Sequence, residues 1–365
     1  MFINFDQDRS VNIGQRQLGD GCQCFITLEA GATHDSLKSA INLADCAMQG
    51  GADAIKFQIF DIDRLVADKS QLFEYKSLVR STPGKIETVN EPLYSILKRR
   101  CLHREEWLEL REHCSKIGIA FFATVGFAED IDLLVEMECD SIKIASADVT
   151  HLPLIEYAAK TGMCIQLDTG NSTLGEIEIA VNTIYKTGNQ RVIIHQCPNG
   201  YPADKNSINL RMIDTLRQMF KVPIAYSDHS PGADIDIAAV CFGANLLEKT
   251  ITLDRYTRSP EHMFSLEPHE IQAFIRRIRD VEEAMGVERR VLTESSYQQR
   301  SKIRRSAFLK SDGWKGQKIS ELDIDWRRPG DGITQEIISR CSDAVLNKSL
   351  KKDYKLKLSD FVWGK

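Results

Sequence analysis

Two lysines lie inside apolar runs of the sequence, each between hydrophobic neighbours. Lys56 lies in AIKFQIF (54–60) and Lys143 lies in SIKIAS (141–146). An isolated ammonium group is costly to bury, so two buried lysines require anionic partners. Those partners are either carboxylates of the chain itself or the phosphate or carboxylate of a substrate. Both explanations are open from these residues alone.

Carboxylates and a histidine stand at the ends of other apolar runs. Glu29 ends CFITLE (24–29) and Asp168 ends MCIQLD (163–168), so either could neutralise a lysine. His229 follows PIAYSD (223–228) and is a candidate metal ligand or general acid–base group. A lone histidine often has only a structural role, so His229 alone assigns no chemistry.

The runs that carry these residues alternate with amphipathic stretches whose apolar positions recur every three and four residues. Eight such alternations predict a (β/α)8 barrel, an α/β fold with a parallel sheet. A doubly wound sheet is the competing architecture, but it usually carries a glycine-rich βα turn, and neither GxGxxG nor GxxxxGK[ST] occurs. The eight predicted strands are 24–29, 54–60, 119–125, 141–146, 163–168, 191–197, 223–228 and 245–251.

A barrel of this type places its active site at the carboxyl ends of its strands. Side chains alternate along a strand, so polar residues between apolar neighbours are expected to point inward. The candidates are Glu29, Lys56, Gln58, Thr124, Lys143, Ser146, Asp168, His195, Cys197, Asn199, Ser227, Asp228, His229, Glu248, Lys249 and Thr250.

The remaining segments predict an insertion and a second domain. Residues 61–100 read as a long loop on the active face, and residues 1–286 as the whole barrel domain. Residues 287–302 are polar and basic, which is typical of a linker. Residues 303–365 contain short β-like pieces and turn formers, which predicts a small separate domain.

Composition excludes several classes of protein. The 365 residues include 47 basic and 52 acidic ones, a net charge of −5, which argues against a dedicated nucleic-acid or anionic-membrane binder. No apolar run approaches the roughly 20 residues of a membrane span. The ten cysteines form no CxxC pair, so we expect free thiols and a cytoplasmic location.

Ordered motifs over nearly the whole chain resemble the sialic acid synthase family. That family comprises bacterial N-acetylneuraminate, legionaminate and pseudaminate synthases and the spore coat polysaccharide E proteins. The closing segments RRSAF, GQKIS and RRPGDGI resemble the family's antifreeze-like (SAF) domain. The motifs in the barrel are LEAGATH (28–34), GADAIKFQIF (51–60), FFATV (121–125), SIKIASADV (141–149), LDTGNSTLGEIEIAV (167–181), CPNGYPADKNSINLRMI (197–213), AYSDHSPG (225–232) and LLEKTITLDRYTRSPEHMFSLEP (246–268).

The resemblance implies a reaction and a set of site residues. The family condenses phosphoenolpyruvate with an N-acylated amino-sugar aldehyde, giving a nine-carbon 2-keto-3-deoxy acid and phosphate for surface polysaccharides. A divalent metal, usually Mn²⁺, polarises the aldehyde. The family works as a domain-swapped homodimer, in which the Arg328 region reaches the partner's site. The implied phosphoenolpyruvate contacts are Lys56, Thr124, Lys143, Ser146 and Ser227, the sugar contacts are Asn199 and Tyr201, the central acid is Glu29, and one metal ligand is His229.

The chain departs from the family pattern at the mouth of the barrel. The second metal histidine is replaced by Thr250, and a hydroxyl is a poor ligand for Mn²⁺. The serine of the family's phosphate-binding S-T-G is replaced by Asp168, whose carboxylate repels a phosphate unless it is neutralised. Glu261 stands where the family has aspartate, and Thr33 where it has asparagine. Relocation of the metal to Asp168, catalysis without metal, and loss or change of activity all remain open.

Two further functions compete with the synthase. One is a Schiff-base aldolase or lyase that uses Lys143 or Lys56 as the amine. The other is a non-catalytic relative that binds an acidic sugar, which the loss of the histidine and serine favours.

Overall fold

The structure is a computed structural model that describes residues 10–362 with the exception of residues 288 and 342. It divides into two compact units between Gly286 and Val287. The first unit holds all the sequence motifs of the barrel, and the second holds the β-rich C-terminal segment.

The first unit is a closed barrel of eight parallel strands, as the sequence predicted. The last strand pairs with the first, with Thr250 opposite Glu29, and this pairing closes the barrel. The strands are β1 (Phe25–Glu29), β2 (Ala54–Ile59), β3 (Ala120–Val125), β4 (Ser141–Ile144), β5 (Cys164–Asp168), β6 (Val192–Gln196), β7 (Ile224–Asp228) and β8 (Leu246–Thr250).

Eight helices surround the barrel and bury one face each. The first begins at Ser36, whose hydroxyl accepts a hydrogen bond from Ser39 N–H, and ends at Gly51 in the left-handed conformation. The helices are α1 (Leu37–Gly50), α2 (Arg104–Ile117), α3 (Ala128–Glu136), α4 (Leu152–Lys160), α5 (Leu174–Lys186), α6 (Met212–Phe220), α7 (Asp234–Cys241) and α8 (Pro268–Met285).

An N-terminal hairpin covers the amino end of the barrel, and it was not predicted from the sequence. Its strands, Ser10–Ile13 and Arg16–Gly19, pair antiparallel. Ile13 and Leu18 are buried in one apolar cluster with Phe25, at the start of β1. The amino end is therefore closed by packing, so ligands reach the interior from the carboxyl end.

The 61–100 insertion contains regular structure where the sequence predicted a long loop. It contains the strands Leu72–Leu78 and Ile86–Pro92, which form an antiparallel hairpin. Short helices, Ile62–Leu65 and Leu93–Lys98, flank this hairpin. The Tyr75 hydroxyl donates to the carbonyl of Arg258, 3.2 Å away, which ties the hairpin to the segment after β8.

The second unit has its own small core. Antiparallel pairs join Ser306–Leu309 to Ile324–Arg327 and Val345–Leu346 to Phe361–Val362. The core residues are Ala307, Leu309, Ile319, Ile333, Ala344, Leu346, Leu350, Leu356 and Phe361. The predicted linker contains a helix, Glu294–Ile303, that buries none of its residues.

The described residues contain no helix both long enough and apolar enough to cross a bilayer.

Candidate active site

The interior of the barrel changes from apolar to polar along its axis. Near the amino end the inward side chains are apolar, among them Phe25, Phe122 and Leu246. One step nearer the carboxyl end they are polar and buried: Thr27, Lys56, Lys143, Gln166, His195, Ser227 and Glu248. Barrel interiors are usually filled by branched apolar residues, so this polar layer indicates a functional site.

Lys56 lies between two carboxylates. Its Nζ is 2.6 Å from Glu29 Oε2 and 2.6 Å from Glu248 Oε1, and all three side chains are nearly inaccessible. Burial lowers the pKa of Lys56, and the charge of Glu248 opposes that effect. The ammonium group thus has two anionic partners within the protein.

The loop after β1 holds Glu29 from the other side. The N–H of Ala32 donates to Glu29 Oε1 at 3.1 Å. A Cβ on Gly31 would lie 2.5 Å from the backbone nitrogen of Gln58 and 2.7 Å from Glu29 Oε1. Only glycine therefore lets this loop pass so close to the carboxylate.

Lys143 is the most highly connected cation of the site. Its Nζ is 2.7 Å from Glu248 Oε2 and 3.2 Å from Asp168 Oδ2. Burial by itself lowers the pKa of Lys143, but the charges of Asp168 and Glu248 outweigh it and the pKa is raised. Lys143 is therefore a fixed positive charge at neutral pH.

Glu248 bridges the two lysines, one with each carboxylate oxygen. Burial alone would raise the pKa of Glu248, yet Lys143 and Lys56 hold it far below its ordinary value. From the sequence, Glu248 was expected at the end of β8 but had no predicted role. Its position directly after the two leucines Leu246 and Leu247 in an apolar run was the available signal.

His195 is a neutral member of the polar layer. Its Nε2 lies 2.9 Å from Gln166 Oε1, and its Nδ1 lies 2.9 Å from Ser227 Oγ and 3.2 Å from Lys143 Nζ. Burial, followed by the charge of Lys143, lowers the pKa of His195 to about 3. Because the Gln166 oxygen can only accept, Nε2 carries the proton and Nδ1 is the acceptor.

Asp168 faces the same cations from β5. Its Oδ1 accepts from Ser227 Oγ at 3.0 Å, and its Oδ2 pairs with Lys143. Its side chain is 13% exposed, so the carboxylate lies at the open side of the polar layer. Asp168 is thus an internal anion already engaged with Lys143.

The charges of the layer leave a small negative excess. Lys56 and Lys143 supply two positive charges, while Glu29, Asp168 and Glu248 supply three negative ones. Carboxylates of the chain itself therefore suffice to explain why the two lysines can be buried, and a substrate anion is not required for it.

The residues at the metal position that the resemblance implies fit a metal poorly. His229 Nδ1 is buried without a hydrogen-bond partner, so one imidazole nitrogen is available. The ring of Tyr201 packs on the His229 ring with centroids 4.6 Å apart. Asp228 pairs with Lys249 in register, which makes Thr250 the neighbour of His229 and leaves a hydroxyl where a second imidazole is needed.

A group of three potential metal ligands occurs elsewhere among the described residues. It comprises Glu267, His269 and Glu270 at the beginning of α8. Glu270 is already paired with Arg255, and Glu267 Oε1 accepts from the N–H of Arg255 at 3.0 Å. The two carboxylates of this group thus have structural roles, and the group does not include His229.

The remaining predicted residues lie at varying depths. Thr124 pairs in register with Lys143 and is half-buried, and Ser146 is half-buried just after β4. Asn199 is exposed beyond β6, and its Oδ1 approaches Gly170. Glu261 is buried in the segment after β8.

Arg328 belongs to the second unit, where it is exposed just after the strand Ile324–Arg327. It is therefore not one of the residues that the barrel itself brings together.

Comparison with known proteins gives this α/β barrel a family. Residues 43–290 match the model of the NeuB family. The chain is 32% identical over 349 residues to the N,N'-diacetyllegionaminic acid synthase of Legionella pneumophila, covering 94% of this chain and 96% of that protein. It is 32% identical over 278 residues to the human N-acetylneuraminate-9-phosphate synthase, covering 74% of each.

A solved structure supports the same relationship over the full length. The crystal structure of the spore coat polysaccharide biosynthesis protein SpsE from Bacillus subtilis aligns with a TM-score of 0.64 at 27% identity. The alignment covers 98% of this chain and 100% of that one. The chain belongs to the NeuB family, whose relatives include sialic, legionaminic and pseudaminic acid synthases.

Proposed function

We propose that this protein condenses phosphoenolpyruvate with an N-acylated amino-sugar aldehyde, giving a nine-carbon 2-keto-3-deoxy acid and phosphate for a surface polysaccharide. The observation that carries the proposal is the pair of buried lysines joined by Glu248. Lys56 and Lys143 are held at the carboxyl mouth of the barrel in a member of the NeuB family. An anion that enters this mouth meets two rigid ammonium groups, and it competes for them with the carboxylates of Glu248 and Asp168.

The chemistry forms one carbon–carbon bond, and at C2 it replaces the carbon–oxygen bond to phosphate by a carbon–oxygen bond from water. The C3 methylene of phosphoenolpyruvate attacks the aldehyde carbon, and the aldehyde oxygen takes a proton. Water adds at C2, and the tetrahedral intermediate expels phosphate to leave the keto group. Lys56 and Lys143 stabilise the negative charge of the donor in this scheme, with Thr124 and Ser146 as further contacts.

Glu29 is the proposed proton-transfer residue. Its carboxylate lies against Lys56 and the N–H of Ala32 at the end of β1. A carboxylate in this position can accept the proton of the attacking water. Glu29, Lys56 and Lys143 are thus the proposed catalytic residues.

The sugar is proposed to contact Asn199, Tyr201 and Glu261. Tyr201 is 41% exposed and its ring covers His229. The described residues provide one imidazole and one hydroxyl at the family's metal position, so the proposed steps use only protein groups. Whether added metal alters the rate is tested below.

The Schiff-base alternative receives less support from the lysine environments. An imine requires a neutral amine, but Lys143 has a raised pKa and pairs with two carboxylates. Burial lowers the pKa of Lys56, yet its Nζ contacts carboxylate oxygens on both sides. Both amines are thus held as ammonium ions by contacts that an imine would lose.

The second unit is proposed to act as the antifreeze-like domain of a swapped homodimer. The support is the RRPGDGI turn, which leaves Arg328 exposed. In this proposal Arg328 would contribute to substrate binding in the partner's barrel. Arg328→Ala alone should then lower activity, and mixing it with a barrel-inactive variant should restore part of that activity, because each mixed dimer would combine one intact barrel with one intact Arg328.

Phosphate release tests the proposed reaction. Phosphoenolpyruvate is supplied with a panel of N-acylated amino-sugar aldehydes, with Mn²⁺, with Mg²⁺ and with chelator. Release that depends on one acceptor supports the synthase, and Lys143→Met should abolish it. Lys160→Met is the matched control because Lys160 is exposed and forms an i,i+4 pair with Glu156 on the surface of α4. Absence of acceptor-dependent release from folded protein would contradict the proposal.

A further inference from the structure

A second polar pocket opens beside the barrel mouth, with a cavity volume of about 220 Å³. Its walls come from the loop after β1, the segment after β8, and the end of the insertion. We call it the Arg100 pocket. The residues that line it include His34, Asp35, Arg99, Arg100, Arg258 and Ser259.

Arg100 is buried in this pocket without a carboxylate partner. It is 5% exposed, and its Nη2 donates to Ser259 Oγ at 3.3 Å. Throughout the described part of the chain, no acidic side chain forms an ion pair with it. A buried guanidinium with one neutral acceptor is electrostatically incomplete, since it offers five donors in a planar fork.

The other two arginines of the pocket are already compensated. Arg99 Nη2 is 2.5 Å from Glu91 Oε1, and Arg258 Nε is 3.4 Å from Glu87 Oε1. Both side chains are well exposed. Arg100 therefore differs from them in burial and in the lack of an anion.

The two acids that line the pocket are also engaged elsewhere. Asp254 pairs with Arg80. Asp35 accepts hydrogen bonds from the hydroxyls of Ser36 and Ser39, at 3.1 and 2.8 Å. Neither carboxylate pairs with the buried guanidinium. The charge of Glu261 opposes the lowering of the Arg100 pKa by burial, but among the described residues Glu261 forms no ion pair with Arg100. An anion that enters the pocket can therefore pair with Arg100 directly.

Arg100 is also held in place by its backbone. Its carbonyl oxygen lies 2.8 Å from His34 Nε2, and His34 Nδ1 lies 3.1 Å from the carbonyl of Ala30. The backbone of Arg100 is thus joined through His34 to the loop that follows β1. A preorganised arginine is the preferred group for binding a phosphate or carboxylate with two parallel hydrogen bonds.

The pocket lies on the same face as the proposed active site. Thr33 Oγ1 donates to the carbonyl of Ile251 at 2.6 Å, which joins the loop after β1 to the segment after β8. His262 follows Glu261, a proposed sugar contact, in the chain. A ligand that extends from the mouth between these two loops would enter the Arg100 pocket.

We propose that the Arg100 pocket binds an anionic substituent, a phosphate or carboxylate, carried by the sugar acceptor. The inference deepens the proposed function and rests on it for the identity of the sugar. Arg100 supplies the charge and the fork of donors, with the Ser259 hydroxyl beside it. The enzyme would thereby select an acidic acceptor over its neutral counterpart.

Binding without turnover tests the pocket apart from the reaction. Titration calorimetry in the absence of phosphoenolpyruvate compares an N-acetylhexosamine, its 6-phosphate and inorganic phosphate. We expect the sugar phosphate to bind at least tenfold more tightly than either other probe. Arg100→Met should reduce that preference to less than threefold, while Arg99→Gln, which changes a paired and exposed arginine of the same pocket, should retain it.

Arg100→Lys is the second variant, because it keeps the charge and removes the planar fork. It should retain part of the preference, and it is used where Arg100→Met does not fold. Equal affinity of the wild type for the two sugars would overturn the proposal, as would tenfold preference in folded Arg100→Met. Inorganic phosphate binding as tightly as the sugar phosphate would also overturn it, by identifying a free-anion site.

The phosphate-release assay separates this failure from failure of the proposed function. Release with a neutral acceptor and no preference in binding would overturn the pocket alone. No release with any acceptor would contradict the synthase itself.

Discussion

Replacing Asp168 by serine should strengthen binding of phosphoenolpyruvate. Asp168 stands where the family's phosphate-binding serine is expected, and its Oδ2 lies 3.2 Å from Lys143 Nζ. At about 4 Å and an effective dielectric constant of about 20, two unit charges interact by about 4 kcal/mol. The Asp168 carboxylate and the substrate phosphate repel each other on this scale, and Lys143 offsets part of that repulsion. Asp168→Ser removes the carboxylate and leaves Lys143 free to pair with the phosphate. We expect the binding free energy of phosphoenolpyruvate to become more favourable by at least about 1.4 kcal/mol, which is a tenfold fall in its dissociation constant.

Titration calorimetry with phosphoenolpyruvate measures this change directly. Asp168→Asn, which removes the charge at nearly constant volume, should act in the same direction. Asp148→Asn is the matched control, because it removes a half-buried carboxylate just after β4 that is not an ion-pair partner of Lys143. An unchanged or larger dissociation constant in folded Asp168→Ser would refute the reasoning that this carboxylate opposes the phosphate.

Three further predictions concern the residues that hold the site together. Glu248→Gln leaves two buried ammonium groups undercompensated, so it should lower the free energy of unfolding, measured in urea, by about 3 kcal/mol or more. The control Glu136→Gln changes an exposed pair with Arg104 and should lower it by less than about 1 kcal/mol. Equal losses would contradict the bridging role of Glu248. His195 has a pKa of about 3 in the folded state and about 6.5 when unfolded, so the unfolded state gains a proton first as pH falls. Its stabilising contribution is present above about pH 6.5 and should decline by about 1.4 kcal/mol for each pH unit towards pH 3; an identical pH 7 to pH 5 difference in wild type and His195→Gln would contradict this. Gly31→Ala should displace the loop that contacts Glu29 and lower both activity and melting temperature, while Gly175→Ala, which meets no atom within 4 Å, should leave both unchanged; a fully active Gly31→Ala would show that the close approach is dispensable.

Local alternation in the sequence accounts for the parts of the barrel that were predicted. Lys56, Lys143 and Asp168 were expected to point inward because side chains alternate along a strand, and the structure brings them together: Lys143 pairs with Asp168 and is joined to Lys56 through Glu248. The insertion was misread, although Leu72–Leu78 and Ile86–Pro92 flank the turn residues of STPGK in a pattern typical of a hairpin.

Contacts between distant strands account for what the sequence analysis missed. Glu248 reaches Lys56 across 192 residues and Lys143 across 105, a coincidence set only by closure of the barrel. The isolation of Arg100 likewise depends on which acids pair with Arg99 and Arg258. Neither arrangement has a local signature, since each depends on packing between segments far apart in the chain.

The fate of the bridging oxygen in phosphoenolpyruvate tests the central claim most directly. The substrate is labelled with ¹³C in its three carbons and with ¹⁸O between C2 and phosphorus, and the products of incubation with the acceptor panel are read by mass spectrometry. The account predicts a sugar acid that contains all three labelled carbons, together with phosphate that retains the ¹⁸O. Labelled pyruvate with no adduct, or ¹⁸O left on the organic product, would contradict it.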